Sequence, residues 1–206
     1  MIRIQEIFTK TVQGEGSWSG IRADFIRLWG CPVRCSWCDT GYSDGGKNIP
    51  YLSLSIADAV AKMESDRVVV TGGEPYIHDE LPDLVDALTQ ANRLVHIETS
   101  GIRHRSLVNV HWITLSPKEH LTGWDVDDRL WEESSELKIV VESINDFEFY
   151  LNKINQYGWC NRPVFVQPCD RPDVSLKDSI LPCLDVLNKY QWVKISLQTH
   201  KILGLK

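Results

Sequence analysis

Three cysteines stand close together in the stretch Cys31-Pro32-Val33-Arg34-Cys35-Ser36-Trp37-Cys38-Asp39-Thr40, with the spacing C-x3-C-x2-C. An apolar run over residues 25–29 precedes it and predicts a buried strand that ends just before the first cysteine. Three thiolates can bind three irons of a four-iron, four-sulfur cluster, and the fourth iron is then left open to bind and reduce another molecule. We therefore interpret this stretch as the loop of a [4Fe-4S] cluster that activates S-adenosylmethionine.

Two other interpretations of the three cysteines are a structural zinc site and three unrelated core thiols. Zinc prefers four ligands in a closed tetrahedron, and no second Cys/His pair lies nearby at zinc-finger spacing, since His78 and Cys160 stand alone. The remaining cysteines, Cys160, Cys169 and Cys183, are scattered, and we expect them to be small buried apolar residues. The open cluster is favoured, and the other two interpretations stay open.

Length and composition predict one globular domain over residues 1–206. The net charge of −6 argues against a sequence-independent nucleic-acid binder, which needs a basic face. The first six residues are too polar for a signal peptide, and no apolar stretch reaches the ~20 residues that span a bilayer. We expect no membrane partner and a cytoplasmic location, where clustered cysteines indicate metal rather than disulfides.

Strand-like and helix-like segments alternate along the chain, which predicts parallel strands joined by right-handed crossovers. Helices are predicted from Ser55 as cap, over 81–91, from Asn145 as cap to Gly158, and over 175–190 with a restart at Pro182. The predicted strands cover residues 23–29, 67–70, 94–98, 110–115, 137–141, 163–167 and 192–197. About seven strands with few full helices favour an α/β fold, a partial TIM-like barrel. A doubly wound open sheet is the alternative.

Polar and glycine residues follow the predicted strands, where each strand ends. Besides the cysteines, these segments are 71–74, 98–101, 116–118, Gln167 and 198–200. Because the carboxyl ends of parallel strands meet at one edge, we expect the segments to converge on one site. There Gly72 and Gly73 let the backbone approach a cofactor, Glu74 can accept from an ammonium group, and Lys118 can pair with a carboxylate.

Two features near the amino terminus point to a substrate. Gly14 and Gly16 flank Glu15 in a loop that is either a simple turn or a binding loop. Arg27 interrupts a buried strand and therefore needs an anionic partner, which is either an internal carboxylate or the carboxylate of a substrate.

Together these motifs resemble the 7-carboxy-7-deazaguanine synthase family within the radical S-adenosylmethionine superfamily. The cysteine loop and Gly-Gly-Glu resemble the superfamily as a whole, and the other motifs narrow the resemblance to the synthase. The residues that carry it are 13–16, 25–28, 30–32, 37–40, 71–75, 97–101, 116–118 and 198–201. It covers nearly the whole chain except 122–136.

The resemblance implies a radical S-adenosylmethionine core fold and a lyase reaction. A 5′-deoxyadenosyl radical removes a hydrogen atom from C6 of 6-carboxy-5,6,7,8-tetrahydropterin, the ring contracts with loss of ammonia, and 7-carboxy-7-deazaguanine, a queuosine precursor, forms. The implied cofactors are a [4Fe-4S] cluster, S-adenosylmethionine and Mg2+. The implied partners are the pterin substrate, an electron donor such as flavodoxin or ferredoxin, and a second copy of the chain in a homodimer.

The resemblance also assigns residues by position. Cys31, Cys35 and Cys38 hold the cluster, and Thr40 binds Mg2+. The residues implied for S-adenosylmethionine are Trp37, Cys38, Asp39, Gly73, Glu74, Ser100, Ser116, Pro117, Lys118 and Gln167. Those implied for the substrate are Val12, Gln13, Gly14, Glu15, Arg27, Thr71 and His200, of which Arg27, Glu15 and His200 are the candidate catalytic residues. His200 as a surface histidine and Thr40 as a turn residue are the alternatives.

Two further functions remain in competition with the synthase. One is a different radical enzyme, for instance an activating enzyme for a glycyl-radical protein; Arg27 and the Gly14–Gly16 loop favour a small carboxylated substrate instead. The other is a non-enzymatic metal-binding protein, which leaves the polar residues at the strand ends without a purpose.

Overall fold

A computed structural model describes residues 1–205 and arranges nine strands of this part of the chain in one sheet. The strands are β1 (Ile2–Val12), β2 (Arg22–Leu28), β3 (Leu52–Leu54), β4 (Arg67–Gly72), β5 (Leu94–Thr99), β6 (Trp112–Leu115), β7 (Glu136–Val141), β8 (Val164–Pro168) and β9 (Lys194–Ile195). Their order is β3-β1-β2-β4-β5-β6-β7-β8-β9. The strands from β2 through β4 to β9 pair in parallel, and β1 pairs antiparallel with β2 and β3.

The strand order distinguishes the two architectures that the sequence left open. From β2 to β9 each parallel strand adds to the same side of the previous one, without the reversal that defines a doubly wound sheet. Right-handed crossovers that always step in one direction place their helices on one face. The fold is therefore a partial barrel, as predicted, and the sheet does not close because β3 and β9 remain its two edges.

Alternation along the strands separates an apolar face from a polar one. On the helix-covered face, Val70, Ile97 and Ile139 join the main hydrophobic core with the buried residues of the helices. The intervening positions face the inside of the partial barrel, and several are polar, including Glu98 and Lys138. Because successive side chains in a strand point to opposite faces, the polar set lies together on the inner surface.

The described part of the chain contains the four predicted helical regions and, in addition, three helices that the sequence did not predict. The helices are α1 (Ile56–Val60), α2 (Leu81–Gln90), α3 (Glu119–Thr122), α4 (Asp128–Glu133), α5 (Ile144–Glu148), α6 (Leu151–Gln156), α7 (Leu176–Ser179), α8 (Leu181–Lys189) and α9 (Thr199–Ile202). Of these, α3, α4 and α9 were not predicted. Ser55 caps α1 by accepting from the Asp58 amide at 3.1 Å, as predicted. None of the helices in residues 1–205 has the length and apolarity needed to cross a bilayer.

Three boundaries were predicted wrongly. Ser143, not Asn145, caps α5, because the Asp146 carboxylate accepts from the Ser143 amide at 2.8 Å and fixes the helix start there. The predicted helix up to Gly158 is two helices, α5 and α6, with a break at Phe149 and Tyr150. The predicted strand over 192–197 is reduced to the two residues of β9, which pairs only with β8 within residues 1–205.

Candidate active site

A cavity of about 480 Å³ opens where the carboxyl ends of the parallel strands meet. This volume lies within the usual range of small-molecule sites. The structure brings many of the sequence-predicted site residues to its wall: Val12, Gln13, Glu15, Arg27, Trp37, Asp39, Thr40, Thr71, Ser116, Lys118, Gln167 and His200. Gly14, the three cysteines, Gly73, Glu74, Ser100 and Pro117 lie outside the lining set. Residues that the resemblance implies for the substrate and residues that it implies for the cofactor therefore share one cavity.

The cysteine loop lies beside this cavity, with all three thiols free and partly buried. Two turns shape it, since the Cys38 amide donates to the Cys35 carbonyl at 3.2 Å and Arg34 adopts a positive φ of 56°. Burial raises the pKa of Cys31 to about 12, while hydrogen bonds from the backbone at Val33 and Arg34 oppose the shift. These amide donors can stabilise a metal-bound thiolate.

Within residues 1–205, no three His, Cys, Asp or Glu side chains surround a point suited to one metal ion. A [4Fe-4S] cluster does not need such a point, because each thiolate binds a different iron. Three unpaired thiols on one loop, with backbone N–H groups directed at one of them, fit the cluster.

Trp37 and Lys118 form the part of the cavity wall next to the cysteine loop. The indole Nε1 of Trp37 is buried and has no hydrogen-bond partner in the described part of the chain. Lys118 Nζ lies 5.5 Å from the centroid of the Trp37 ring and donates to the carbonyl and hydroxyl of Ser116, each at 2.6 Å. Burial lowers the pKa of Lys118 to about 8. A buried ammonium held only by neutral oxygens suits an anionic partner, such as the carboxylate of S-adenosylmethionine.

The Gly-Gly-Glu segment packs directly on the start of the cysteine loop. The Gly73 amide donates to the Leu28 carbonyl at 3.0 Å, and the Glu74 amide donates to the Gly30 carbonyl at 2.9 Å. A Cβ on Gly73 would overlap the Gly30 carbonyl, so this position requires glycine for backbone contact.

Glu74 is held by hydrogen bonds within the chain. Its carboxylate is buried and accepts from the Thr99 hydroxyl at 2.6 Å, the Ser100 amide at 2.8 Å and the Tyr76 amide at 3.1 Å, and the Ser100 hydroxyl donates as well. Burial raises the pKa of Glu74, and these hydrogen bonds oppose the shift. The geometry supports a role for Glu74 and Ser100 in joining two strand-end loops.

Arg27 has the internal anionic partner that was one of its two predicted options. Its Nε donates to Glu6 Oε1 at 2.8 Å, and one terminal nitrogen donates to the Thr40 hydroxyl at 3.1 Å. Next to Thr40, burial raises the pKa of Asp39, but the hydrogen bond and charge of Lys201 lower it below its ordinary value. The guanidinium still lines the cavity, and its five N–H donors allow a second anion to bind.

The Gly14–Gly16 loop and the carboxyl-terminal helix α9 hold each other in place. The Thr199 amide and hydroxyl both donate to the Gly14 carbonyl, each at 3.0 Å. The Gly16 amide donates to the Ser196 hydroxyl at 3.0 Å. Burial lowers the pKa of His200, which favours a neutral ring at the cavity wall. The loop is therefore part of the cavity and not a simple surface turn.

The cavity wall also holds residues to which the sequence assigned no role, such as Glu98, Lys138, Gln198 and Lys201. Lys138 forms an ion pair with Glu15 and lies 3.7 Å from Glu98. It interrupts the buried strand β7 as Arg27 interrupts β2, so the argument that selected Arg27 would also have found it. Glu98 and Gln198 lie in strand-end segments that were expected at this edge, and Lys201 directly follows one of them, but none of the three was given a role.

Comparisons with known proteins agree with this geometry. The model of the Radical SAM superfamily matches residues 28–162. The 7-carboxy-7-deazaguanine synthase of Escherichia coli (strain K12) is 33% identical, with 98% of each chain covered. The enzyme of that name from Rickettsia prowazekii is 34% identical and covers 100% of this chain and 89% of its own.

A solved structure gives the same result for the fold. The crystal structure of QueE from Escherichia coli superimposes with a TM-score of 0.77 at 30% identity, covering 95% of this chain and 93% of that one. The likeness therefore extends over almost the full length of both chains. The chain belongs to the radical S-adenosylmethionine superfamily and, within it, to the 7-carboxy-7-deazaguanine synthase family.

Proposed function

We propose that the chain is a 7-carboxy-7-deazaguanine synthase, a lyase that converts 6-carboxy-5,6,7,8-tetrahydropterin to 7-carboxy-7-deazaguanine with loss of ammonia. The observation that carries the proposal is the shared cavity, which has Trp37 and Lys118 beside the cysteine loop on one side and Arg27, Glu15 and His200 on the other. Such a cavity holds a cofactor and a small carboxylated substrate in contact, as a reaction between them requires.

Membership of the superfamily implies a [4Fe-4S] cluster and S-adenosylmethionine. When bound, they supply a carbon-centred radical that removes a hydrogen atom from the substrate. Cys31, Cys35 and Cys38 hold the cluster, and Lys118 binds the carboxylate of S-adenosylmethionine. The protein's contribution is to place the reactive carbon against the substrate and to exclude water.

On the substrate side, Arg27 binds the pterin carboxylate while it keeps its contact with Glu6. The resemblance assigns Thr40 to Mg2+, and its hydroxyl already accepts from Arg27, so a cation and the carboxylate fit at one point of the wall. His200, Glu15 and the backbone of the Gly14–Gly16 loop bind the pterin ring. The neutral imidazole favoured by burial can donate or accept a hydrogen bond there.

The proposal also covers the number of domains, the oligomeric state, the electron donor and the cellular location. One continuous sheet in residues 1–205 supports a single domain over 1–206. Exposed leucines on α7 and α8, such as Leu176 and Leu181, support a homodimer. A flavodoxin or ferredoxin is the proposed electron donor, and the cytoplasm is the proposed location.

The test is an anaerobic turnover assay of the protein loaded with iron and sulfide. Reductant, S-adenosylmethionine, Mg2+ and 6-carboxytetrahydropterin are added, and product is followed by mass and ultraviolet absorbance. We expect 7-carboxy-7-deazaguanine from the wild type and none from Cys35→Ala. Formation of 5′-deoxyadenosine without the deazaguanine would assign another substrate, and absence of both from cluster-loaded protein would overturn the proposal.

A further inference from the structure

Lys138 is a buried cation at the cavity wall that has no role in the proposed function. It lies in the middle of β7, where all six residues are buried, and its side chain is only 8% exposed. The side chain lines the cavity from the inner face of the sheet. Placing an ammonium group there has a large desolvation cost unless it is paired, so the position requires carboxylate partners.

Two carboxylates from distant parts of the chain meet this single lysine. Glu15 comes from the glycine loop after β1, and its Oε2 forms the ion pair with Lys138 Nζ. Glu98 comes from β5, and its Oε1 lies 3.7 Å from the same nitrogen. One positive charge between two negative ones leaves the trio with a net negative charge at the cavity wall. Such a trio repels an anion and favours a ligand that presents hydrogen-bond donors.

The other hydrogen bonds of the two carboxylates orient them but do not use all of their acceptor positions. Glu98 accepts from the Gln13 side-chain amide at 3.0 Å and from the Thr71 hydroxyl at 2.8 Å. Glu15 Oε1 accepts from the Gln198 side-chain amide at 2.8 Å. A carboxylate has about four lone-pair positions. Each carboxylate in this arrangement therefore retains acceptor capacity for a ligand in the cavity.

Resting on the proposed function, we infer that Lys138 is a positioning residue that holds Glu15 and Glu98 together, so that they accept N–H groups from the amino-oxo-pyrimidine half of the substrate. That half of a pterin or deazaguanine presents an amino group next to a ring N–H. A pair of oriented carboxylate oxygens matches these donors, whereas the opposite end of the substrate carries the carboxylate bound by Arg27. The substrate is therefore oriented by opposite charges at its two ends.

The test measures ligand discrimination in cluster-loaded protein with S-adenosylmethionine bound. The probes are 7-carboxy-7-deazaguanine, which is stable in air, and its analogue lacking the 2-amino group. In the wild type, we expect the analogue to bind about 10-fold to 100-fold more weakly, the loss of one hydrogen bond to a charged group. In Lys138→Met, we expect weaker binding of 7-carboxy-7-deazaguanine and discrimination within about threefold, because the two carboxylates are no longer held together by the ammonium group.

Two further variants test whether Lys138 positions the carboxylates or only stabilises the fold. Lys138→Arg keeps the charge and is expected to keep the discrimination. Lys189→Met removes a lysine whose ion pair with Glu148 is on the surface, and it should match the wild type. S-adenosylmethionine affinity should change less than about twofold in all three, since Lys118 is intact. If Lys138→Met does not fold, Lys138→Gln takes its place, because its side-chain amide can donate to one carboxylate but cannot form ion pairs with both.

The outcomes distinguish this inference from the proposed function. Full discrimination in folded Lys138→Met, or in Lys138→Gln, would overturn the role of Lys138 and leave the synthase proposal intact. Failure of the wild type to bind 7-carboxy-7-deazaguanine would overturn both. Loss of discrimination in Lys138→Met with retention in Lys138→Arg would support the inference.

Discussion

Gly14 lies directly against the imidazole ring of His200, although the two residues stand near opposite ends of the chain. A Cβ on Gly14 would overlap the ring, and the Gly14 carbonyl also accepts both hydrogen bonds from Thr199. The absence of a side chain at position 14 is therefore what allows α9 to close against the amino-terminal loop. The contact places His200 at the cavity wall.

Gly14→Ala should consequently displace His200. We expect a loss of about 1–3 kcal/mol in the free energy of unfolding, typical of overpacking, and a higher KM for the pterin. Urea denaturation and steady-state kinetics measure the two effects. Combining Gly14→Ala with His200→Ala should recover part of the stability, because the overlap with the ring is removed while the close approach to the His200 backbone nitrogen remains. Equal stability of Gly14→Ala and the wild type would show that the ring contact is not required.

Removal of one cluster thiol is expected to abolish iron binding. Cys35→Ala leaves two thiolates, too few to hold the cluster at this loop, so iron content and the absorbance of the reconstituted protein should fall to background. Cys160→Ala is the matched control and should retain full iron content, since Cys160 is a free cysteine far along the chain and is exposed, whereas the sequence predicted it to be buried. Retention of the cluster in Cys35→Ala would contradict the assignment of this loop.

Arg27→Lys is expected to weaken substrate binding without destroying the fold. A lysine keeps the charge but cannot bind Glu6, Thr40 and a carboxylate through one planar group. We expect KM for the pterin to rise about tenfold, which corresponds to 1.4 kcal/mol. Arg22→Lys, at the exposed start of the same strand, should leave KM unchanged. An unchanged KM in Arg27→Lys would assign Arg27 to a structural ion pair alone.

Thr40→Val tests the proposed magnesium ligand. Valine has a similar shape but no oxygen, so we expect the Mg2+ concentration for half-maximal activity to rise several-fold, whereas Thr40→Ser should resemble the wild type. Magnesium titration of the initial rate is the measurement. If Thr40→Val and Thr40→Ser respond alike, the hydroxyl does not bind the ion.

Because of the contact between Glu98 and Lys138, the free energy of unfolding should decrease as the pH becomes acidic. Burial raises the pKa of Glu98, but the charge of Lys138 outweighs it and lowers the pKa from 4.5 to about 2. A carboxyl whose pKa is lower in the folded state contributes stability that is complete above pH 4.5 and is lost as the pH falls toward 2.

Urea denaturation of wild type and Glu98→Gln between pH 3 and pH 7, both without cluster, measures this contribution. We expect the difference between their free energies of unfolding to decrease by about 2–3 kcal/mol as the pH falls through this window. A difference independent of pH would show that Glu98 is not ionised by its contact with Lys138.

Much of the fold follows from local patterns. The alternation of short β-branched strands with amphipathic helices predicts parallel pairing, and the Ser55 cap and the restart at Pro182 depend only on neighbouring residues. A helix start with two candidate capping residues is harder to predict from the sequence. Ser143 caps α5 and the predicted Asn145 does not, because the Asp146 carboxylate accepts from the backbone N–H groups of Glu142 and Ser143.

Less of the candidate site than of the fold could be predicted from the sequence. Side chains expected at one edge of the sheet do converge, because parallel strands share their carboxyl ends. The prediction that Glu74 binds a cofactor stays a prediction, and its hydrogen bonds to Thr99 and Ser100 depend on the neighbouring strand-end loop, which a local pattern does not specify. Lys138 was overlooked because it stands among apolar residues without a motif.

The sequence by itself determined the cysteine loop, the parallel architecture and the edge at which the chemistry lies, because these depend on spacing over a few residues. The tertiary structure decided which charges meet. Glu15 and Lys138 are 123 positions apart, and Gln13 and Glu98 are 85 apart. Such pairs depend on the register and stagger of several strands at once, which a local pattern does not specify.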